Sequence, residues 1–236
     1  MLGGMTAALR IPTQAPSVHL IGSPMSHDHR LHLTVFGATG SVGRHVVDQA
    51  LAQGHLVTAF TRHPGSIEPA TGLEVVGGDV LDPMAVRAAV EGRDAVVVAL
   101  GDGRRGGVRE AGTRTIVQAM TDLGVRRLVC QSTLGAGDSR GNLDLVWKYL
   151  MFGLLLRKAY ADHQRQEDVV RASGLDWTIL RPAAFTDGPT TGSYRHGFGP
   201  DDRSTTLKIS RADVAHALLR QVTDSTGVGR AVSVSY

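Results

Sequence analysis

The stretch LHLTVFGATGSVGRHVVDQAL, residues 31–51, runs from a β-branched apolar segment through three glycines into a segment with apolar residues at helical spacing. The first composition favours a strand and the second an amphipathic helix, so the stretch reads as strand, turn, helix. Val42, Val46, Val47 and Leu51 share one helical face before Gly54 closes it. The glycines stand at 37, 40 and 43, a G-x-x-G-x-x-G spacing where the strand hands over to the helix. In that context Gly37 permits a tight turn, Gly40 lets the backbone approach a pyrophosphate, and Gly43 lets helix and strand come close. The amides of Ala38, Thr39, Ser41 and Val42 belong to the same turn and face the anion, aided by the helix dipole. The plainer alternative is a glycine-rich turn that binds nothing.

Working outward, short β-branched runs alternate with helical stretches: HLVTAFTR (55–62), LEVVGGDV (73–80), DPMAVRAAVEG (82–92) and DAVVVALGDG (94–103). A helix over 108–122, a strand RRLVCQST (126–133) and a helical region over about 143–172 come next. DWTILRP (176–182), TTLKIS (205–210), a helix over about 211–222 that Ser210 and Asp213 cap, and RAVSVSY (230–236) complete the chain. The alternation predicts an α/β fold with a Rossmann-type doubly wound parallel sheet and a small C-terminal elaboration. Nearly all-apolar strands fit a sheet covered on both faces.

At 236 residues the chain is expected to form one domain over 30–236, with residues 1–29, rich in glycine and proline, as an irregular leader. Cys130 is the lone cysteine, so no intramolecular disulfide forms, and the reading expects a cytoplasmic protein. A net charge of +3, spread along the chain, favours small anionic ligands over nucleic acid. No run of about 18 apolar residues predicts a spanning helix. His27, His29 and His32 cluster near the start, but without further ligands they read as a solvated tail rather than a metal site.

The second strand ends in Thr61, Arg62 and His63, where an NAD-selective site offers an acid to the ribose 2′-hydroxyl. An acid would repel a 2′-phosphate, whereas Arg62 pairs with it, so the reading expects NADP(H) in preference to NAD(H). Arg44 is a secondary candidate for the same phosphate. The later strand ends place Asp79 and Val80 at the adenine edge, and Leu100 and Gly101 under the adenine ribose and pyrophosphate. Arg104, Arg105 and Arg109 either reach a phosphate or are solvated.

FGATGSVG (36–43), TRHP (61–64), GDVLDP (78–83), VVVALG (96–101), GTRTIVQAM (112–120), SGLDWTILRPA (173–183) and ISRADVAHALL (209–219) together resemble the atypical short-chain dehydrogenase/reductase family. The likeness is to its NAD(P)H-binding group, which includes the biliverdin reductase B (flavin reductase) and NmrA-like proteins. It covers about residues 31–236 and implies a Rossmann fold, bound NADP(H), and a substrate held over the nicotinamide by the loops after the fifth and sixth strands. It further implies that Ser132 and Thr133 meet the substrate and that the backbone of Arg181, Pro182, Ala183 and Ala184 flanks the nicotinamide amide. Asp187 and Thr191 are implied near the same pocket.

The family's Tyr-x-x-x-Lys pair is broken here: Tyr160 is present, but Gln164 stands where the lysine belongs. Without a nearby cation a tyrosine titrates near 10, able to donate a proton but a poor base at neutral pH. That argues against alcohol oxidation and sugar epimerisation. His163 is a second proton donor or anion binder, or else a helix-surface histidine; Tyr160 is alternatively a core aromatic. Residues 142–160, NLDLVWKYLMFGLLLRKAY, are too apolar for a plain solvent face. The segment could wall an apolar substrate pocket, pack between subunits or dip into a membrane surface; the order of expectation is core or lid packing, then a partner interface such as a homodimer, then contact with a membrane surface without stable insertion.

The sequence therefore points first to an NADPH-dependent reductase passing a hydride to a planar, apolar small-molecule acceptor such as a flavin, quinone or tetrapyrrole. A non-catalytic NmrA-like redox sensor comes second, and an NAD(P)-dependent epimerase third.

Overall fold

The computed structural model describes residues 30–101, 106–200 and 202–236. The expected leader and Arg104 and Arg105 lie outside these residues. β1 (His32–Phe36), α1 (Gly43–Ala52), β2 (Leu56–Thr61), β3 (Leu73–Gly77), α2 (Pro83–Val90) and β4 (Ala95–Val98) form the first half. α3 (Val108–Leu123), β5 (Arg127–Gln131), a π-helix (Val146–Leu155), α4 (Arg157–Arg171) and β6 (Asp176–Pro182) follow. β7 (Ala184–Thr186), β8 (Arg195–His196), β9 (Lys208–Ser210), α5 (Arg211–Thr223) and β10 (Arg230–Ser235) end the chain.

The main sheet has the order β3-β2-β1-β4-β5-β6-β10-β8, parallel throughout except for β8. Strand order reverses between β1 and β4, which opens the crevice where ligands of such sheets bind. β4 is the sequence AVVV and every residue of it is buried, because helices cover both faces. One core joins the sheet to α1 and α5 through Val46, Ala50, Val214 and Leu218. The other joins it to α2, α3 and α4 through Val86, Ile116, Met120 and Val170. β7 and β9 form the small C-terminal elaboration, a two-stranded parallel sheet.

Local signals fix the helix ends. Asp82 accepts from the Met84 amide with Pro83 at the first helical position, and Ser210 accepts from the Asp213 amide. Gly124 ends α3 in the left-handed region at φ +71°. The helical region expected over 143–172 is instead two helices, broken at Leu156, which has φ −114° and ψ 16°. In the first of them the Leu156 amide bonds the Met151 carbonyl at 2.7 Å. The wider π-helical turn brings Trp147 and Phe152, five residues apart, to one side, with ring centroids 5.7 Å apart.

Candidate functional site

The glycine turn has no room for side chains. Gly37 has φ +85°, and a Cβ there would stand 2.8 Å from the Ala99 carbonyl carbon at the end of β4. A Cβ on Gly43 would stand 2.8 Å from the Gly37 carbonyl carbon and overlap its oxygen. Gly40 is different: its Cβ would meet only the Gly37 oxygen at 3.0 Å and the Ala99 oxygen at 3.8 Å. The Gly40 amide closes the turn on Gly37 at 2.8 Å, while the amides of Ala38, Thr39, Ser41 and Val42 have no partner among the described residues. Four uncommitted N–H groups at the start of a ten-residue helix fit a diphosphate.

Around this cradle, Thr61 is tied inward: its hydroxyl lies 3.3 Å from that of Thr39 and accepts from the His63 amide at 3.1 Å. Arg62 beside it is exposed, with its guanidinium uncommitted among the described residues, and Arg44 is exposed as well. Asp79 is exposed and accepts from the Leu81 amide at 2.9 Å, while Val80 is buried and Leu100 nearly so. Gly112 of α3 lies against both, since a Cβ there would meet Val80 at 2.8 Å and Leu100 at 3.0 Å. Gly101 is exposed beside Arg109.

Arg109 departs from one of its two expected roles. It is not solvated; it is 8% exposed and 3.6 Å from Asp162, with two guanidinium nitrogens lacking hydrogen bonds among the described residues. Asp162 also accepts from the Arg109 and Glu110 amides at 3.2 Å, so the α3 N-terminus is already capped.

On the other side of the crevice, the loops after β5 and β6 are joined by bonds from the Ser132 amide to Leu180 at 2.7 Å and from the Leu134 amide to Pro182 at 2.8 Å. Thr133, Leu143, Trp147, Pro182, Ala184 and Leu207 line a largely apolar pocket there. The Ser132 hydroxyl is buried without a partner among the described residues, and Thr133 is half-buried with a 3.4 Å bond to the Leu134 carbonyl. The Ala183 and Ala184 amides donate to Val234 and Leu207 at 3.0 and 3.1 Å, so their N–H groups are already committed. Arg181 turns away into the core onto Glu167. Asp187 pairs with Arg211, and Thr191 bonds Asp213, so both fasten this segment to α5 rather than facing the pocket.

Tyr160 donates to the Gly135 carbonyl at 2.8 Å and stacks on Phe152 with centroids 4.8 Å apart. Burial raises its pKa, so it is a still poorer base than a free tyrosine. His163 is half-buried and is not a cation. Desolvation, assisted by Arg109, pushes its pKa down to about 3, and its buried Nδ1 has no partner among the described residues. As a proton donor or anion binder in charged form it is corrected: at neutral pH the ring is uncharged. The unfolded chain binds this proton near 6.5 and the folded one only near 3, so stability is full above pH 6.5 and falls as the pH drops. Between about pH 6 and 4, unfolding free energy should decline by up to ~1.4 kcal/mol per pH unit, and His163→Gln should flatten that slope in urea titrations.

Two features escaped the sequence reading: the close packing of Gly112 on Val80 and Leu100, which no local signal marks, and the burial of Arg109, which depends on Asp162 far along the chain. Trp147 lines the pocket, one of the roles the sequence offered for its segment.

Comparison with known proteins agrees with this geometry. Residues 37–225 match the model of a family described as NAD(P)H-binding. Sterol demethylase protein B of Methylococcus capsulatus is 35% identical over 171 residues, 66% of this chain; the chain spans about half, 51%, of that relative. An anaerobillin reductase from Escherichia coli O157:H7 superposes with a TM-score of 0.71 at 26% identity, over 86% of this chain and 96% of its own. A short-chain dehydrogenase/reductase of Veillonella parvula solved with NADP shares the fold, with a TM-score of 0.74 at 20% identity over 88% of this chain and 95% of its own.

Proposed function

The chain belongs to the NAD(P)H-binding family, an oxidoreductase-type group, and from that premise we propose that it is an NADPH-dependent reductase of planar, largely apolar acceptors such as flavins, quinones or tetrapyrroles. The observation that carries the reading is a bare amide cradle and an apolar pocket at the same edge of one sheet, with Gln164 and not a lysine four residues after Tyr160. The amides from Ala38 to Val42 hold the diphosphate, Arg62 takes the 2′-phosphate, and Val80 and Leu100 bed the adenosine half. Asp79 borders the adenine edge. When bound, the reduced nicotinamide supplies a hydride, and the protein's task is position and exclusion of water.

Pro182, Ala183 and Ala184 wall the nicotinamide side, while Thr133 and Ser132 offer hydroxyls to the acceptor. Tyr160 already spends its proton on Gly135 and His163 is neutral, so an acceptor that needs little acid catalysis fits best. The anaerobillin reductase supports this class of acceptor, and the NADP complex supports the cofactor.

Arg62→Asp should weaken NADPH about 10–100-fold while leaving NADH within a few-fold, as read by fluorescence titration. Unchanged NADPH selectivity would remove Arg62 from the account. The activity is tested by NADPH oxidation against a panel of flavins, quinones and tetrapyrroles, with turnover expected for at least one. The committed Tyr160 hydroxyl favours a second reading, a dinucleotide-binding redox sensor; tight NADPH binding without turnover of any acceptor would select it.

A further inference from the structure

Six of the ten exposed large apolar side chains among the described residues fall within eleven consecutive positions: Leu145, Val146, Tyr149, Leu150, Leu154 and Leu155. Their segment has two sides. Trp147 and Phe152 turn inward onto the core, which meets the expectation of core packing, and Trp147 lines the apolar pocket. The other six do not meet it: Leu145, Tyr149 and Leu154 are 71%, 68% and 69% exposed. An uncovered apolar face of this kind marks a contact surface rather than a solvent face.

Charge identifies the occupant. From Leu145 to Ala161 the chain carries Lys148, Arg157 and Lys158 and no acid. None of the three forms an ion pair among the described residues. A twofold contact with a second copy would lay this face on itself and bring like charges together. An anionic surface with an apolar interior satisfies both the leucines and the cations, and the aromatic ring of Tyr149 suits the zone between them. Among the described residues no helix is long and apolar enough to cross a membrane, so the contact lies in the plane of the interface.

We propose that the outer face of the π-helix, Leu145 to Leu155 with Lys148, Arg157 and Lys158, docks on an anionic lipid bilayer. Because the same helix lines the pocket through Trp147, docking brings the pocket rim to the lipid. On the reductase reading, the acceptor is then a lipid-phase molecule; the docking itself does not depend on that reading.

The test is flotation of the full chain with vesicles of phosphatidylcholine alone or mixed with phosphatidylglycerol. Binding should be about tenfold or more tighter with phosphatidylglycerol and weaken in high salt. The exposed double variant Leu150→Ser/Leu154→Ser should lose about tenfold in partitioning while binding NADPH as before, which shows that it is folded. No binding to the anionic vesicles, or equal binding by the double variant, overturns the proposal. So does a dimer in sedimentation velocity that the double variant dissolves, which would give the face to a second copy. Turnover of soluble acceptors, measured without vesicles, reports on the reductase reading separately.

Discussion

Gly40→Ala should leave the protein folded and cost about a hundredfold in NADPH affinity, whereas Gly43→Ala should cost a large share of the fold's stability. The difference lies in what each new methyl would strike. At Gly43 it would overlap the Gly37 carbonyl, a backbone group held by the turn, and α1 would have to lift off β1. A loss of about 3 kcal/mol or more is expected, a large share of a typical ~5–15 kcal/mol domain stability. At Gly40 the nearest atom is 3.0 Å away and the backbone is not left-handed, so the cost to stability is about 1 kcal/mol. On the proposed reading the methyl instead intrudes where the backbone of the turn must approach the diphosphate. Urea unfolding and NADPH fluorescence titration read the two quantities separately. A Gly40→Ala protein that bound NADPH normally would show that the cradle is not the diphosphate site.

The glycine turn was legible because everything it needs is local: a strand, three glycines and a helix within residues 31–51. The doubly wound order was legible for a related reason, since βαβ alternation leaves few topologies open. What stayed hidden depends on partners far along the chain. His163 reads either as a proton donor or as a helix-surface histidine, and only the folding of α4 onto the core and against Arg109 makes its half-buried ring neutral. The break at Leu156 was unreadable because nothing at that position disfavours helix. Packing decides it, through the pairing of Trp147 with Phe152 and of Phe152 with Tyr160. The resemblance gave Ala183 and Ala184 backbone roles, but that the end of β10 and the small β7–β9 sheet take up their N–H groups depends on the folded C-terminal part.

The same dependence on distant partners makes Glu167→Ala the most damaging side-chain truncation expected outside the glycine turn. Arg181 is 2% exposed at the end of β6, and Glu167 of α4 meets it with two bonds of 2.9 and 2.6 Å. Asp138 adds a third partner from the exposed side, and its carboxyl is held below the usual range chiefly by that arginine. Burial works against the Arg181 charge, yet the bonds and charges of Glu167 and then Asp138 together outweigh it and raise its pKa. Removing Glu167 strands a buried guanidinium with Asp138 alone, and the expected cost is about 3–5 kcal/mol. Removing both charges is another matter. Glu167→Leu/Arg181→Met replaces the pair with apolar groups of similar volume and should recover most of that loss. The pair also fixes α4 against the β6 end that leads into Pro182, Ala183 and Ala184. The single variant should therefore raise KM for the acceptor even at temperatures where it stays folded, and the double variant should not restore it fully. If Glu167→Ala instead unfolds within about 1 kcal/mol of the parent in urea, Asp138 alone satisfies the arginine and the buried pair is not what anchors this edge of the site.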